Sequence, residues 1–315
     1  MSFEAMKDRV RRIPEVSSWP QMLELIERPI HRESISVWEY PVAACQAVGG
    51  SEVDAMPAAA AVFCSVISIH LVDDMLDDDP RGDFHRLGPG PAANLALAFQ
   101  AAGHRLLDQG PAPVRAALQA SFAAMSLATC YGQSLDSLER ETEADYWRVV
   151  EAKTPPLFGE ALRMGALLGR ADGATAERLA HLGRLLGRYI QINDDLSDAL
   201  QSPACADWKR RHNNLPILYA LTADHADRDE FARLSTQVDD PEILAASQKI
   251  LFRSGAVSYC TLKLIELARE LQELLGGLSL ANAQPVVNLV ELHLDPLHRL
   301  LEKVGVENPA ALTLS

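Results

Sequence analysis

The chain has 315 residues, of which 48% are hydrophobic and 23% are charged, and its mean hydropathy of −0.02 is that of a globular protein rather than a disordered or membrane-spanning one. Its formal net charge of −14 argues against a nucleic-acid-binding protein, because a phosphate backbone demands clustered Lys and Arg. The same charge permits a small phosphorylated ligand if divalent metal ions supply the positive charge.

The cysteines and the N-terminus indicate a reducing compartment. The five cysteines include no CxxC pair and most have apolar neighbours, which fits buried free thiols. Residues 1–12 are charged and contain no apolar run, so we expect no signal peptide. No stretch reaches the roughly 18 uninterrupted apolar residues of a membrane span. The sequence therefore predicts a cytoplasmic protein with no transmembrane segment.

Apolar residues recur with helical period in almost every segment, and almost none alternates like a half-buried strand. The clearest predicted helices, in chain order, are 55–77, 92–107, 113–139, 143–168, 174–200, 215–223, 243–275 and 282–304. Gly and Pro mark the breaks between them. Long helices joined by short loops, without repeats, predict an all-α protein with one compact bundle over 1–315 and a core over about 38–304.

An acidic cluster ends the first of these helices, where Asp73, Asp74 and Asp77 are followed by two more aspartates. On a helix, residues four apart lie on one face, so Asp73 and Asp77 form a like-charge pair that destabilises it by about 0.2–0.5 kcal/mol. Mg²⁺ neutralises such pairs and characteristically binds one or two carboxylates together with substrate phosphate. The alternative is a solvated helix end without a ligand.

A second cluster, Asp194, Asp195 and Asp198, repeats the same spacing inside the apolar run 182–200. Charged residues in an otherwise apolar helix are rarely left buried without a partner. If the two helices face each other, six carboxylates surround one cavity, which is enough for two or three metal ions on a diphosphate. Two clusters of identical spacing favour a metal site over two solvated helix faces.

Three further segments accompany the clusters. A Tyr-Gly-Gln-Ser-Leu-Asp segment occupies 131–136, a segment at 146–158 is centred on Lys153 and Thr154, and Leu-Pro-Ile-Leu-Tyr-Ala occupies 215–220. In these motifs and their order, the chain resembles the trans-isoprenyl diphosphate synthase (polyprenyl synthetase) family as a divergent member. The two aspartate clusters match that family's two aspartate-rich motifs.

The resemblance implies a single large orthogonal helical bundle of the class I isoprenoid synthase type, with a central cavity and usually a homodimer. It implies that two or three Mg²⁺ ions, held by the six aspartates, bind the diphosphate of an allylic prenyl substrate. The catalytic residues it implies are Asp73, Asp74, Lys153 and Asp194. The substrate-binding residues it implies are Arg86, Gln133, Lys153, Thr154, Gln191 and Lys209. For Arg86, Lys153 and Lys209 the alternative is an ordinary solvated position.

The sequence departs from the family where isopentenyl diphosphate would bind. Typical members carry a basic Gly-Gly-Lys-Arg segment there, but the corresponding stretch 33–41 has neither Lys nor Arg, and the nearest are Arg28 and Arg32. His70 is the candidate for a second contact, with a core or surface histidine as the alternative. The residues for metal and the allylic diphosphate are retained, whereas this second diphosphate site is eroded.

In that family, the side chains four and five residues before the first aspartate motif determine product length. Here Ile69 and Ser68 occupy those positions, and neither is aromatic. The resemblance therefore implies a cavity open to prenyl chains of C15 or longer. A plain core role for Ile69 is the alternative.

The leading hypothesis is thus a Mg²⁺-dependent prenyltransferase that extends an allylic prenyl diphosphate, by condensation with isopentenyl diphosphate, to a longer trans prenyl diphosphate. The alternative is a class I terpene cyclase or a prenyltransferase to another acceptor, because the basic segment is missing. A third hypothesis is a regulatory subunit of a heteromeric synthase. Such subunits typically lose one aspartate motif, and this chain keeps both.

Overall fold

The structure, a computed structural model, describes residues 3–28, 37–137, 141–208, 213–303 and 306. Within these ranges all long elements are helices and no strand occurs, which confirms the predicted all-α class. The helices are α1 (Phe3–Arg11), α2 (Pro14–Ser17), α3 (Pro20–Glu27), α4 (Glu39–Ala47), α5 (Glu52–Asp77), α6 (Phe84–Leu87), α7 (Pro89–Leu107), α8 (Ala112–Asp136), α9 (Glu143–Lys153), α10 (Pro155–Leu168), α11 (Gly173–Leu200), α12 (Leu215–Thr222), α13 (Arg228–Leu234), α14 (Pro241–Arg253), α15 (Ala256–Gly276) and α16 (Gln284–Lys303).

Two predicted helices are each divided in the structure. The predicted helix 143–168 is broken between α9 and α10, because Pro155 disfavours helical backbone at the residue before it and has no N–H to donate. The predicted helix 243–275 is broken between α14 and α15 at Gly255, whose φ of 85° lies in the left-handed region. The first break matters for function, since it places Lys153 and Thr154 at a helix end.

The chain groups into two compact units, each built from separate stretches. Unit 1 comprises Met1–Thr129, Pro156–Arg184 and Leu278–Glu291, and unit 2 comprises Cys130–Pro155, Leu185–Gly277 and Leu292–Ser315. The expectation of one domain over 1–315 stays a prediction.

Helix α5 is the central element of unit 1, where it packs against α1, α4 and α7. Every residue from Ala55 to Ser68 is buried, so the helix has no polar face along this stretch. Its length of 26 residues, and the mean hydropathy of 2.0 over an 18-residue window within it, would be sufficient for a membrane span. However, 83% of that window is buried inside the protein, as in the core helix of a globular protein. The expected lack of a transmembrane segment stays a prediction.

Both ends of α5 are defined by local hydrogen bonds. At the start, the Ser51 hydroxyl accepts the Asp54 N–H at 3.2 Å, and the Asp54 carboxylate accepts the Ser51 N–H at 2.9 Å, which is a capping box. At the end, Asp78 has a φ of 51°, and its N–H donates to the Asp74 carbonyl. The first aspartate motif therefore occupies the last two turns of a well-anchored core helix.

In unit 2, α12, α13, α14 and α15 pack together around a second apolar core. Its largest fully buried side chains are Trp208 and Phe231, whose rings lie 6.1 Å apart. Helix α12 starts at the edge of this core, with Asn214 as its N-cap and Pro216 in its first turn. This start lies beside the second aspartate motif.

Candidate active site

The first aspartate motif lies at the C-terminal end of α5. Asp73, Asp74 and Asp77 are all half-buried, in contrast to the fully buried turns that precede them. The following loop folds back onto the helix so closely that a Cβ on Gly82 would lie 2.8 Å from the Asp74 Cβ. Within the loop, the Arg81 guanidinium pairs with the Asp79 carboxylate at 2.9 Å. A set of half-buried carboxylates thus stands at the end of an apolar helix.

Arg86, predicted to bind diphosphate, is in the short helix α6 of unit 1. Its guanidinium lies 3.0 Å from the Glu24 carboxylate of α3 and 3.2 Å from the Asp83 carboxylate. Arg28 also pairs with Asp83. Both arginines therefore have carboxylate partners in this structure, and Arg86 would have to exchange them for a diphosphate. Its predicted role stays a prediction.

The three residues of the second aspartate motif differ in exposure. Asp194 is exposed and Asp198 half-buried, whereas Asp195 is 2% exposed. The difference follows from helix geometry, because Asp194 and Asp198 are four residues apart on one face and Asp195 is turned by about 100°. Only Asp194 and Asp198 present their carboxylates toward solvent.

Both carboxylate oxygens of Asp195 accept hydrogen bonds. Oδ2 accepts the Tyr146 hydroxyl at 2.7 Å and the Leu215 N–H at 2.9 Å, and Oδ1 accepts the Gln191 side-chain amide at 2.9 Å. These contacts join α11 to α9 and to the start of α12. Burial, together with the nearby Asp207 carboxylate, raises the pKa of Asp195 to about 8, although the three donors oppose the rise.

A chain of hydrogen bonds links the segment centred on Lys153 and Thr154 to the second aspartate motif. The Thr154 hydroxyl donates to the Gln191 side-chain oxygen at 2.7 Å, and the Gln191 amide donates to Asp195. Gln191 is therefore oriented from both ends, because its oxygen accepts and its nitrogen donates. The structure thus brings together Thr154 of one predicted motif and Gln191 and Asp195 of another.

The segment 131–136 of α8, which contains Gly132 and Gln133, packs directly against the end of α9. A Cβ on Gly132 would lie 2.4 Å from the Lys153 backbone nitrogen, so only glycine permits this approach. Gln133 follows it and is 8% exposed. One turn later, the Asp136 carboxylate pairs with the Lys153 ammonium at 2.9 Å, and the Asn213 amide donates to the Asp136 carbonyl at 2.9 Å. Lys153 is therefore held in place by a carboxylate of the neighbouring motif.

Several residues of this region were not selected from the sequence. Tyr146 and Asn214 are buried partners of Asp195: the Asn214 amide donates to the Asp195 carbonyl at 2.7 Å and to the Asp207 carboxylate at 3.0 Å. The Asn-Leu-Pro order at 214–216 is a helix-start signal that could have identified Asn214. Nothing in the sequence indicated that Tyr146 reaches Asp195, since 49 residues separate them.

Each aspartate motif, taken by itself, carries donors that fit Mg²⁺. The carboxylates of Asp73, Asp74 and Asp77 in unit 1, and those of Asp194 and Asp198 in unit 2, are hard oxygen ligands of the kind that Mg²⁺ requires. Asp195 differs, because its oxygens already have three protein donors. Asp198 also lies within 4.8 Å of the Cys205 thiol and Asp207. Lys209, predicted to bind substrate, and Arg32 lie outside the described residues.

The described part of the eroded basic segment, 37–41, contributes to the core of unit 1. Trp38 stacks on Phe3 with ring centroids 5.1 Å apart and meets Phe63 edge-on at 5.3 Å. Tyr40 is fully buried and contacts Phe158. Where typical relatives of the resembled family present cations, these residues of this chain present packed aromatic rings.

Comparison with known proteins identifies the family. The polyprenyl synthetase family profile matches residues 41–250, which is two thirds of the chain. A short chain isoprenyl diphosphate synthase of Methanothermobacter thermautotrophicus is 28% identical over 262 residues, covering 78% of this chain and 80% of that protein. A geranylgeranyl diphosphate synthase of Mycobacterium tuberculosis is 34% identical over 211 residues, covering 61% of this chain and 59% of that protein.

The solved structures agree on the fold. The crystal structure of a polyprenyl synthase from Caulobacter crescentus, complexed with calcium and isoprenyl diphosphate, matches with a TM-score of 0.78 at 20% identity, covering 93% of this chain and 92% of that chain. This likeness confirms the all-α isoprenoid synthase fold. By its motifs, the family profile and its relatives, the chain belongs to the polyprenyl synthetase family and is a prenyltransferase.

Proposed function

We propose that the protein ionises an allylic prenyl diphosphate in the presence of Mg²⁺, releasing pyrophosphate, and condenses the resulting allylic cation with isopentenyl diphosphate, with loss of a proton, giving a trans prenyl diphosphate of C15 or longer. The relatives support the reaction class, since those compared are named as isoprenyl and geranylgeranyl diphosphate synthases. The absence of an aromatic side chain at Ser68 and Ile69 supports the length. Two or three Mg²⁺ ions, held by the aspartate motifs, are part of the proposal.

The observation that carries the proposal is the hydrogen-bonded cluster of unit 2. Lys153 is fixed by Asp136, while Thr154 fixes Gln191, which in turn donates to Asp195 beside the exposed Asp194. Groups that are already oriented cost little reorganisation when charge develops on a leaving group. This arrangement supports the proposed binding of a metal-bound diphosphate.

In the proposed reaction the residues have separate tasks. The ammonium of Lys153 binds the diphosphate, and the polar side chains of Thr154, Gln133 and Gln191 orient it. Bound Mg²⁺ supplies the positive charge that stabilises the departing diphosphate. Asp195 holds α11 against α9 and α12, which keeps Asp194 and Asp198 on the accessible face. Its predicted role as a metal ligand stays a prediction.

A second candidate function has its own observation. Because Trp38 and Tyr40 are buried in aromatic contacts, the described part of the segment that binds isopentenyl diphosphate in the resembled family offers no cation here. A prenyl diphosphate could then be ionised and either cyclised or transferred to another acceptor. The alternative therefore remains a terpene cyclase or a prenyltransferase to a different nucleophile.

One experiment separates the two functions. Purified protein with Mg²⁺ is incubated with geranyl, farnesyl or geranylgeranyl diphosphate, with and without labelled isopentenyl diphosphate. The proposed synthase incorporates label into a longer prenyl diphosphate with at least one primer. Release of pyrophosphate without isopentenyl diphosphate, together with a hydrocarbon or alcohol product, would favour the alternative.

The assembly and the location are also proposals. We propose a homodimer whose interface includes Leu97 of α7 and Leu127 of α8, which are 71% and 74% exposed, because large exposed apolar side chains mark interaction surfaces. Sedimentation of the wild type as a dimer, and of the Leu97→Glu/Leu127→Glu variant as a monomer, is expected. A monomeric wild type would contradict the proposal. The cytoplasm is the expected location, and cell fractionation tests it.

A further inference from the structure

The second aspartate motif ends close to the C-terminus of α11. Asp198 lies one turn after Asp194, and only two residues follow it within the helix. The last four carbonyls of an α-helix have no intrahelical donor, so a helix end loosens unless other groups bind them. The three donors of Asp195 hold the turn before. The placement of the Asp198 carboxylate therefore depends on what holds the last turn of α11.

A side chain of another helix binds this helix end. None of the described residues 199–205 has a positive φ, so α11 does not end in a left-handed cap. Instead, the Gln248 side-chain amide of α14 donates to the Ala199 carbonyl at 3.3 Å and to the Gln201 carbonyl at 3.0 Å. An amide nitrogen carries two N–H groups, so this one side chain can serve both carbonyls.

The apolar core of unit 2 holds the same turn. Ala199 is fully buried and belongs to one apolar cluster with Leu244 and Leu251 of α14. Leu200 packs against this cluster. Gln248 is half-buried and follows Leu244 by four residues, so it lies on the same face of α14. Helix α14 thus holds the end of α11 with apolar side chains and one amide.

The residue that Gln248 binds also contacts the carboxylate of Asp198. The Gln201 side-chain amide donates to the Asp198 Oδ1 atom at 2.9 Å. Because Gln248 binds the backbone of Gln201, it fixes the point from which this side chain starts. The Cys205 thiol donates to the Asp198 carbonyl at 3.4 Å. A set of hydrogen bonds therefore runs from Gln248 through Gln201 to the carboxylate that the proposed function assigns to Mg²⁺.

We propose that Gln248 is a positioning residue for metal binding at Asp198. It holds the last turn of α11 and, through Gln201, orients the carboxylate. Mg²⁺ demands near-ideal octahedral geometry, so a carboxylate on a loose helix end binds it weakly. The inference rests on the proposed function, in which Asp198 binds Mg²⁺. Gln248 itself contacts neither metal nor substrate in this account.

The test measures binding of Mn²⁺ to the substrate-free, full-length protein by electron paramagnetic resonance, because Mn²⁺ takes the same oxygen ligands as Mg²⁺. Gln248→Met keeps the length of the side chain and removes both N–H donors, so we expect Mn²⁺ to bind about tenfold more weakly. Gln237→Met is the matched control, because the Gln237 amide also donates to a carbonyl near a helix end, that of Arg233 in α13 at 3.3 Å. It should leave Mn²⁺ binding unchanged.

A double-mutant cycle with Asp198→Asn separates positioning of the carboxylate from a general loss of stability. If Gln248 acts through Asp198, Gln248→Met weakens Mn²⁺ binding in the wild-type background. It then has no further effect once Asp198→Asn has removed the carboxylate. Equal weakening in both backgrounds would overturn the proposal, since Gln248 would then act by another route.

The remaining outcomes separate two kinds of failure. If Asp198→Asn weakens Mn²⁺ binding and Gln248→Met does not, the positioning role is wrong and the proposed function stands. If the wild type binds no Mn²⁺, or Asp198→Asn binds it as the wild type does, the proposed metal role of Asp198 fails and the inference fails with it. Should circular dichroism show Gln248→Met unfolded, Gln248→Ala takes its place in the cycle, and unchanged Mn²⁺ binding overturns the inference.

Discussion

The Tyr146 hydroxyl donates to Asp195 at 2.7 Å, and both residues are buried. Removing the hydroxyl would leave a buried carboxylate with one donor fewer, which costs about 1–3 kcal/mol. We therefore expect Tyr146→Phe to lower the free energy of unfolding by about that amount in urea titrations. Tyr131→Phe is the control, since Tyr131 is 59% exposed and should be neutral. Equal midpoints for the two variants would contradict the structural role assigned to Tyr146.

The raised pKa of Asp195 predicts a pH dependence of stability. Burial and the Asp207 carboxylate raise the pKa of Asp195 to about 8, so the folded protein binds this proton more tightly than the unfolded chain does. The contribution of Asp195 to the free energy of unfolding is therefore fully present below about pH 4, which is the pKa of an aspartate in the unfolded chain. This contribution is lost as the pH rises through about 8, the pKa in the folded protein. Relative to Asp195→Asn, the wild type should lose stability over this window by at most about 1.4 kcal/mol per pH unit.

This pH dependence is measured by urea unfolding in EDTA at several pH values between 4 and 9. The quantity to compare is the difference in unfolding free energy between Asp195→Asn and the wild type, which cancels the titration of all other groups to first order. A difference that rises with pH supports the account. A difference that falls with pH would mean that the three donors outweigh burial and that the folded state favours the ionised carboxylate.

The contact between Gly132 and the end of α9 predicts intolerance to any side chain at position 132. A Cβ there would meet the Lys153 backbone nitrogen at 2.4 Å, and backbone atoms cannot move aside without shifting α9. We expect Gly132→Ala to lower stability by about 1–3 kcal/mol and to impair turnover by displacing Lys153. Gly173→Ala is the control, because a Cβ at that position has no neighbour within 4 Å. Thermal melts and initial rates are compared for the two variants. Equal stability and equal activity of Gly132→Ala and Gly173→Ala would contradict the packing argument.

The ion pair between Lys153 and Asp136 predicts a binding defect. If Lys153 binds the allylic diphosphate, Lys153→Ala removes a charge-assisted contact worth about 1.5–3 kcal/mol, so kcat/KM should fall about tenfold or more. Lys263→Ala removes the same charge from a lysine paired with Glu266 at 3.0 Å and should leave kcat/KM unchanged. A wild-type kcat/KM for Lys153→Ala would contradict the assignment of Lys153 to the diphosphate site.

The all-helical class could be predicted because apolar periodicity dominates the chain, and the aspartate motifs could be found because their spacing repeats. The divisions at Pro155 and Gly255 were missed, since apolar periodicity continues across both breaks while the backbone does not. These breaks depend on single residues, which a pattern over many residues does not detect.

The inner partners of the site could not be predicted for a different reason. Spacing alone made Asp194 and Asp195 equivalent, but only the packing of α11 against α9 and α12 decides which carboxylate turns inward. The partnership of Gln191 with Thr154 likewise depends on how two helices approach across 37 residues of sequence. Sequence patterns identify which residues carry the chemistry, whereas the contacts among them follow from tertiary packing.

The central claim, that the aspartate motifs ionise an allylic diphosphate with Mg²⁺, is tested most directly by pyrophosphate release. The assay uses an allylic diphosphate with isopentenyl diphosphate and compares the wild type with Asp73→Ala/Asp194→Ala. A control variant, Asp229→Ala/Asp239→Ala, removes two exposed carboxylates elsewhere. We predict that turnover requires Mg²⁺, survives in the control and is abolished in the motif variant although circular dichroism shows it folded. Unchanged turnover in the motif variant would contradict the account.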